Sequence, residues 1–252
     1  TDTKTYDGTT SSAGVPSLTA GTLASGETAT YSQVFSTINA GTGKTLIPAV
    51  IVSGGNANYA ITLANNLTGV INARAITVTA ATDTKTYDGT TSSAGVPSLT
   101  AGTLAAGETA TYSQTFDTKN VSTGKALIPA VVVSGGNSNY AITLANNTAG
   151  VINTRAITVM AATDTKMYDS TTSSAGVPSL TSGTLASGET ATYSQTFDTK
   201  NVGTGKTLTP VVVVSGGNVN YAITLANNNT GVINTRAITV TAATDTKIYD
   251  GT

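Results

Sequence analysis

The chain has 252 residues, of which 10% are charged, and its net charge is −1 at pH 7. So neutral a composition lacks the basic stripe that nucleic acid or an anionic membrane surface requires, and no apolar run reaches membrane-spanning length. With no histidine, cysteine or tryptophan, the chain has no disulfide framework, no thiolate metal site and no imidazole base, and its threonine- and valine-rich remainder supports strands rather than helices.

Along the chain the sequence returns to itself every 81 residues, without insertion or deletion. Asp2, Asp83, Asp164 and Asp245 are equivalent, as are Tyr6, Tyr87, Tyr168 and Tyr249, and Gly54, Gly135 and Gly216. Residues 1–81 and 82–162 differ at 13 positions. Self-similarity at a fixed period decides the architecture before any local motif is read. It predicts a first module over 1–72 that lacks its opening strand, a second over 73–153 and a third over 154–234. Residues 235–252 then supply the opening strand and turn of an incomplete fourth. A chain cut in this way is expected to be an excerpt from a longer array.

The elements of one module follow from pattern. Ala75-Ile76-Thr77-Val78-Thr79-Ala80 alternates apolar and hydroxyl side chains, the period of a half-buried strand. Asp88-Gly89 is a turn signal, since glycine accepts φ > 0 without steric cost. Val96-Pro97-Ser98-Leu99 is a short apolar piece. Thr109 to Phe116 alternates again, with Ala110, Tyr112 and Phe116 on one face. Asn120 to Lys125 reads as a turn, and Leu127 to Val133 as a strand that Pro129 places at an edge or limits in its early pairing. Tyr140 to Leu144 and Val151-Ile152 complete the module.

About seven short strands in 81 residues predict an all-β chain, a tandem array of small antiparallel β-sandwiches of immunoglobulin-like type. A β-grasp arrangement is the alternative. Only Asn153-Thr154-Arg155 separates one module from the next, with no flexible spacer. Successive modules are therefore expected to hold a nearly fixed relation, each adding about 35–45 Å to a rod if a ten-residue strand spans about 34 Å.

Lys85-Thr86-Tyr87-Asp88-Gly89-Thr90-Thr91 resembles the motif of the YDG repeat domains of large bacterial surface and secreted, haemagglutinin-like proteins. Phe197-Asp198-Thr199-Lys200-Asn201-Val202-Gly203-Thr204-Gly205-Lys206, Asn220-Tyr221 and the strand Arg236 to Ala242 are similar to further parts of that pattern. Ser170 replaces the turn glycine in the third unit, and Ser36 to Gly41 is a drifted copy of the second motif. The resemblance implies long extracellular stalks of adhesins and biofilm-matrix proteins, with no catalytic activity.

The candidates for chemistry each have a structural alternative. Asp83 and Asp88 flank Tyr87 and could stiffen a joint with calcium, but that ion wants six to eight converging oxygens, so Asp88 is expected to serve its turn and Asp83 to face water. Glu108 with Lys85 or Lys125 and Asn139 or Asn153 offers the elements of an internal amide crosslink. The expectation is a solvated lysine and a loop glutamate. Alternate threonines (Thr77, Thr79, Thr82, Thr84, Thr86) recur too sparsely for an ice-binding ladder, and the sequons at Asn66, Asn120, Asn146 and Asn228 read as loop asparagines. Tyr87, Tyr112, Tyr140 and Phe116 are expected in the core. Gly135-Gly136-Asn137 lacks what a phosphate loop needs.

No catalytic, cofactor or metal residue is therefore assigned. The expected role is a structural stalk or filament module of an extracellular or cell-surface protein, stabilised by nearest-neighbour contacts and capable of lateral or end-to-end self-association. A multivalent array with weak affinity for surface glycans is the alternative.

Overall fold

The alternation in the sequence becomes strands almost everywhere it occurs. The computed structural model describes residues 1–251; the last residue of the expected fourth module, Thr252, lies outside the described residues. It is all-β, and its helical content is three single-turn segments at Asn56–Asn58, Asn137–Asn139 and Asn218–Asn220. Among the described residues no helix is long and apolar enough to cross a membrane.

Contacts group the chain into two units that cut across the 81-residue period. The first holds 1–85, 91–118 and 122–151; the second holds 86–90, 119–121 and the chain from Ile152 onward. The cut falls where it does because residues around each Tyr-Asp-Gly turn pack with the repeat that follows.

In the first unit, β1 (Thr3–Thr5), β2 (Ala29–Phe35), β3 (Gly41–Val52) and β4 (Asn66–Asn72) form a sheet in the order β1-β4-β3-β2. The next repeat contributes β5 (Arg74–Thr79), β6 (Thr84–Thr86), β7 (Ser98–Ala101), β8 (Ala110–Phe116), β9 (Ser122–Val133), β10 (Tyr140–Ala145) and β11 (Asn147–Asn153). These seven strands make two sheets, β6-β11-β9-β8 and β10-β5-β7. In the second unit, β12 (Arg155–Met160), β13 (Thr165–Met167), β14 (Ser179–Ser182), β15 (Ala191–Phe197), β16 (Gly203–Val214), β17 (Tyr221–Ala226) and β18 (Asn228–Asn234) repeat the pattern as β14-β12-β17 and β13-β18-β16-β15.

The expectation of purely antiparallel sheets is corrected. Hairpins such as β8–β9 are antiparallel, but β1–β4, β5–β10, β12–β17 and β13–β18 pair in parallel. Parallel pairing needs a long crossover, and here the crossover is nearly the whole repeat: Ile76 lies opposite Ile142. The expected turn at Asn120 to Lys125 is also corrected, because β9 already begins at Ser122. The strand's apolar run alternates in burial, with Leu127, Val131 and Val133 inside and Ile128 and Val132 outside. Proline suits the second half of this strand type. In β3 the pairing with β4 ends at Leu46↔Asn66, so Pro48 follows at a position with no ladder bond to lose on that side.

Residues 236–251 carry no strand, although Arg236 to Thr241 has the sequence of β5. Residues 59–64 have the sequence of β10 and likewise form none. In both places the flanking partner strands of the sheet are missing.

The core of the first unit joins two repeats. Tyr6, Phe35, Leu46 and Ile71 form one cluster with Ile76, Val78, Ala105, Val131, Val133 and Tyr140. In the second unit Ala161, Phe197, Leu208 and Ile233 cluster, with Tyr168 packed against them.

Candidate functional site

Every residue of the Lys-x-Tyr-Asp-Gly motif has a separate physical task. Lys4 is paired with Asp7 at 2.7 Å, donates to the Thr9 and Ser11 carbonyls, and lies 5.5 Å over the Phe35 ring. Lys85 and Lys166 sit 5.4 Å over Phe116 and Phe197. The Asp88 carboxylate accepts from the Thr90 amide and hydroxyl at 2.9 Å each, which closes the turn that Gly89 makes at φ 79°. Ser170 takes the same left-handed conformation at φ 65°.

The tyrosine makes the joint between repeats. Tyr6 is fully buried, and its hydroxyl donates to Glu108, the same carboxylate that accepts from the Tyr140 hydroxyl. The two rings meet edge to face, 5.5 Å between centroids. The Tyr140 hydroxyl also accepts from the Ala105 amide at 2.9 Å. Around this clasp, Asn139 accepts from the Ala40 amide at 2.8 Å and donates to the Asn39 side chain and the Gly135 carbonyl. Arg74 donates to the Thr103 carbonyl at 2.6 Å and reaches the Tyr6 carbonyl at 3.4 Å.

The second unit builds the same joint. Tyr87 and Tyr221 both donate to Glu189 at 2.5 Å, with ring centroids 5.6 Å apart. Asn220 accepts from the Val121 amide at 2.9 Å, and Arg155 reaches the Tyr87 carbonyl at 3.4 Å. Among the described residues no buried side-chain nitrogen or oxygen lacks a hydrogen-bond partner, which is what a desolvated polar joint requires to be stable.

The electrostatics follow from this geometry. Burial first, and then the hydrogen bond to Glu108, pushes the Tyr6 phenol up to about 12. Burial and Glu189 raise Tyr87 further still. Tyr140 is raised by burial and by Glu108, against the opposing Ala105 amide. The phenols therefore stay protonated and donating over the whole neutral range. Burial works against the charge of Asp83, but the Ser93 hydroxyl and the Ala94 and Gly95 amides outweigh it and hold this carboxyl low.

Asp88 serves its turn as the sequence predicts, whereas Asp83 does not face water: it accepts from Ser93 at 2.6 Å and Ala94 at 2.9 Å. Among the described residues no three acidic side chains gather to hold a metal ion. The crosslink elements are engaged elsewhere. Glu108 meets two tyrosines, Lys125 is buried against Asp117 at 3.1 Å, Lys85 lies over Phe116, and Asn139 bridges to Ala40. The Asn153 carbonyl accepts from the Tyr87 amide. Tyr87, Tyr140 and Phe116 are buried, and Tyr112 is half-buried, so these rings offer no sugar platform.

What sequence reasoning missed is that Tyr87 works on the following repeat and that Glu108 is not a loop residue. A signal existed. The chain has three glutamates, and all hold the same place in the repeat, as do Gly54, Gly135 and Gly216. A side chain on Gly135 would overlap the Glu108 carboxylate, so that glycine is there to admit it.

No match to the chain is found among curated proteins or among solved structures. The family described as the YDG domain matches residues 72–149 and again 153–230, more than half of the chain. The two matched segments carry Tyr87 and Tyr168 of the motif together with Glu108 and Glu189, and the chain belongs to the YDG domain family.

Proposed function

We propose that the chain is a non-catalytic spacer, a stalk or filament segment of an extracellular bacterial adhesin or matrix protein, in which repetition supplies reach. The observation that carries this reading is the joint, found once in each unit: a buried Tyr–Glu–Tyr clasp with every polar atom satisfied. One residue, Thr154, separates β11 from β12, and Ala73 separates β4 from β5, so the connections have no slack. A joint that is short, dry and hydrogen-bonded resists bending, since each bend would leave a carboxylate or phenol unpaired at about 1–3 kcal/mol.

An immunoglobulin-like tandem sandwich remains our reading of the module, supported by its two sheets of short strands and by the absence of a helix packed on either. Small-angle scattering of the chain tests the role. The expected particle is a rod whose length increases by a constant step as repeats are added, and whose bending increases in a Glu108→Gln, Glu189→Gln variant. A compact particle, or a rod equally stiff in the variant, overturns it.

A further inference from the structure

In the second repeat, β5 lies between β10 and β7, with Ile76 and Val78 at 2% and 0% exposure. The third repeat does the same with β12 between β17 and β14. In the first repeat the equivalent place is a groove of about 600 Å³, lined by residues 16–23, 48–50 and 59–64. Leu18 and Leu63 stand half exposed along it. Gly21, which corresponds to Gly102 packed on the β5 backbone, faces open space. The chain also contains that strand without a partner: Arg236-Ala237-Ile238-Thr239-Val240-Thr241 repeats the sequence of β5, and its Ile238 and Val240 are 83% and 87% exposed.

The joint is likewise present as two separate halves. Tyr168, Asn201, Val202 and Arg236 line a recess at the end of the third repeat, where Tyr6 or Tyr87 has a following repeat to clasp. In the first repeat Glu27 already accepts from Tyr59, as Glu108 does from Tyr140, but has no second tyrosine. Asn58 is exposed where Asn139 is 2% exposed.

We infer that this chain assembles head to tail by strand donation, residues 236–241 of one copy entering the first-repeat groove of a second copy while Tyr168 closes on that copy's Glu27. The register is fixed by the pairs already formed. Arg74↔Tyr140 and Val78↔Leu144 in parallel become Arg236↔Tyr59 and Val240↔Leu63; Val78↔Leu99 antiparallel becomes Val240↔Leu18. Arg236 then reaches Thr22, as Arg74 reaches Thr103. Donor and acceptor are different surfaces, so the contact is heterologous and propagates instead of closing at a dimer. In a longer chain a preceding segment of this sequence would take the same groove in cis. The inference rests on the strand pairing and not on the stalk reading; rods without assembly, or assembly without rods, separate the two.

The experiment uses the 252-residue chain, whose lack of native cysteine makes a thiol trap clean. Leu18→Cys with Val240→Cys, concentrated and oxidised with diamide, is expected to give a ladder of disulfide-linked species in whole-chain steps; each single variant stops at a dimer. Ile238→Asp with Val240→Asp alters only side chains exposed in the free chain. It is expected to abolish the ladder in the trap background's concentration-dependent sedimentation while leaving the circular dichroism spectrum unchanged. A synthetic peptide of residues 236–245 should cap growth in proportion to its concentration. A chain that sediments as a monomer at all concentrations, or a double-cysteine variant that oxidises only within one chain, overturns the inference.

Discussion

Residues 59–64 and Tyr140–Ala145 are the same six residues, Tyr-Ala-Ile-Thr-Leu-Ala, yet only the second set is a strand. Likewise Arg74–Thr79 is a strand and residues 236–241, identical in sequence, are not. What differs is the neighbour. β10 has β5 beside it and β5 has β7 on its other edge, whereas the matching segments of the first repeat and the tail have no partner of either kind. β-propensity here means fitness for a half-buried pleated surface, and without that surface it is not expressed. The repeat is thus a folding unit only when the strand that opens it is in place.

The harshest way to break this comparison is to make one substitution in both places. A side chain on Gly102 would overlap the Ala75 carbonyl and press on Ile76, while the same atom on Gly21 meets nothing. Both glycines have positive φ, 77° and 79°, so the conformational penalty of about 1–2 kcal/mol is common to the two. Gly102→Ala is expected to cost about 3–5 kcal/mol in all, by adding overpacking at β5 to that penalty. Gly21→Ala should cost the shared strain alone. Urea denaturation of the two variants checks this, and equal losses would mean that β5 does not sit where Gly102 admits it.

Next in size is the strand itself. Ile76→Ala should destabilise the chain by about 2–5 kcal/mol, the range for a buried isoleucine. Ile238→Ala, at a site 83% exposed, should stay within about 0.5 kcal/mol under dilute conditions. Amide exchange sharpens the result: Ile76→Ala should deprotect Tyr140–Ala145 toward the level of residues 59–64.

Much of one repeat is legible in sequence, and the reasons for the rest are specific. Alternation located β5, β8 and β10 within a residue or two, because period two is a local property. It could not find the parallel pairing of Ile76 with Ile142, since register over such a distance leaves no trace in either segment. Tyr6 and Glu108 are 102 residues apart, so the joint was invisible as a pair. Its parts were nonetheless visible as the lone glutamate of each repeat and the glycine that makes room for it. The composition also hid Asp83, whose Ser93 and Ala94 partners come from a loop with no pattern of its own.

The joint gives a smaller, pH-dependent effect. A phenol whose folded value lies above its unfolded one keeps its contribution below the unfolded value near 10 and loses it as pH rises through the folded value. For Tyr6 that window runs from about 10 to about 12. Stability measured by urea denaturation should therefore decline between these limits, and Tyr6→Phe should flatten the decline while leaving the first repeat's Tyr59, bonded to Glu27 alone, with its own slope. A decline unchanged in Tyr6→Phe would place the alkaline sensitivity elsewhere.

The smallest effect lies in a turn. Ser170 occupies the position of Gly89 and Gly8, and keeps the left-handed backbone at φ 65° where those glycines have 79° and 78°. A side chain there carries about 1–2 kcal/mol of steric cost, part of which Ser170 recovers by donating to the Asp169 carbonyl at 2.6 Å. Ser170→Gly removes the strain but also frees the unfolded chain, which costs about 0.4–1 kcal/mol in the opposite direction. The expected net gain is about 0.5 kcal/mol, seen as a small rise in denaturation midpoint with no change in slope. The reverse change, Gly89→Ser, meets one further obstacle: a side chain at Gly89 would touch Ala186 at 3.2 Å, in the joint. It should therefore lose more than Ser170→Gly gains, and a symmetric pair of effects would show that the turn is indifferent to the repeat that packs on it.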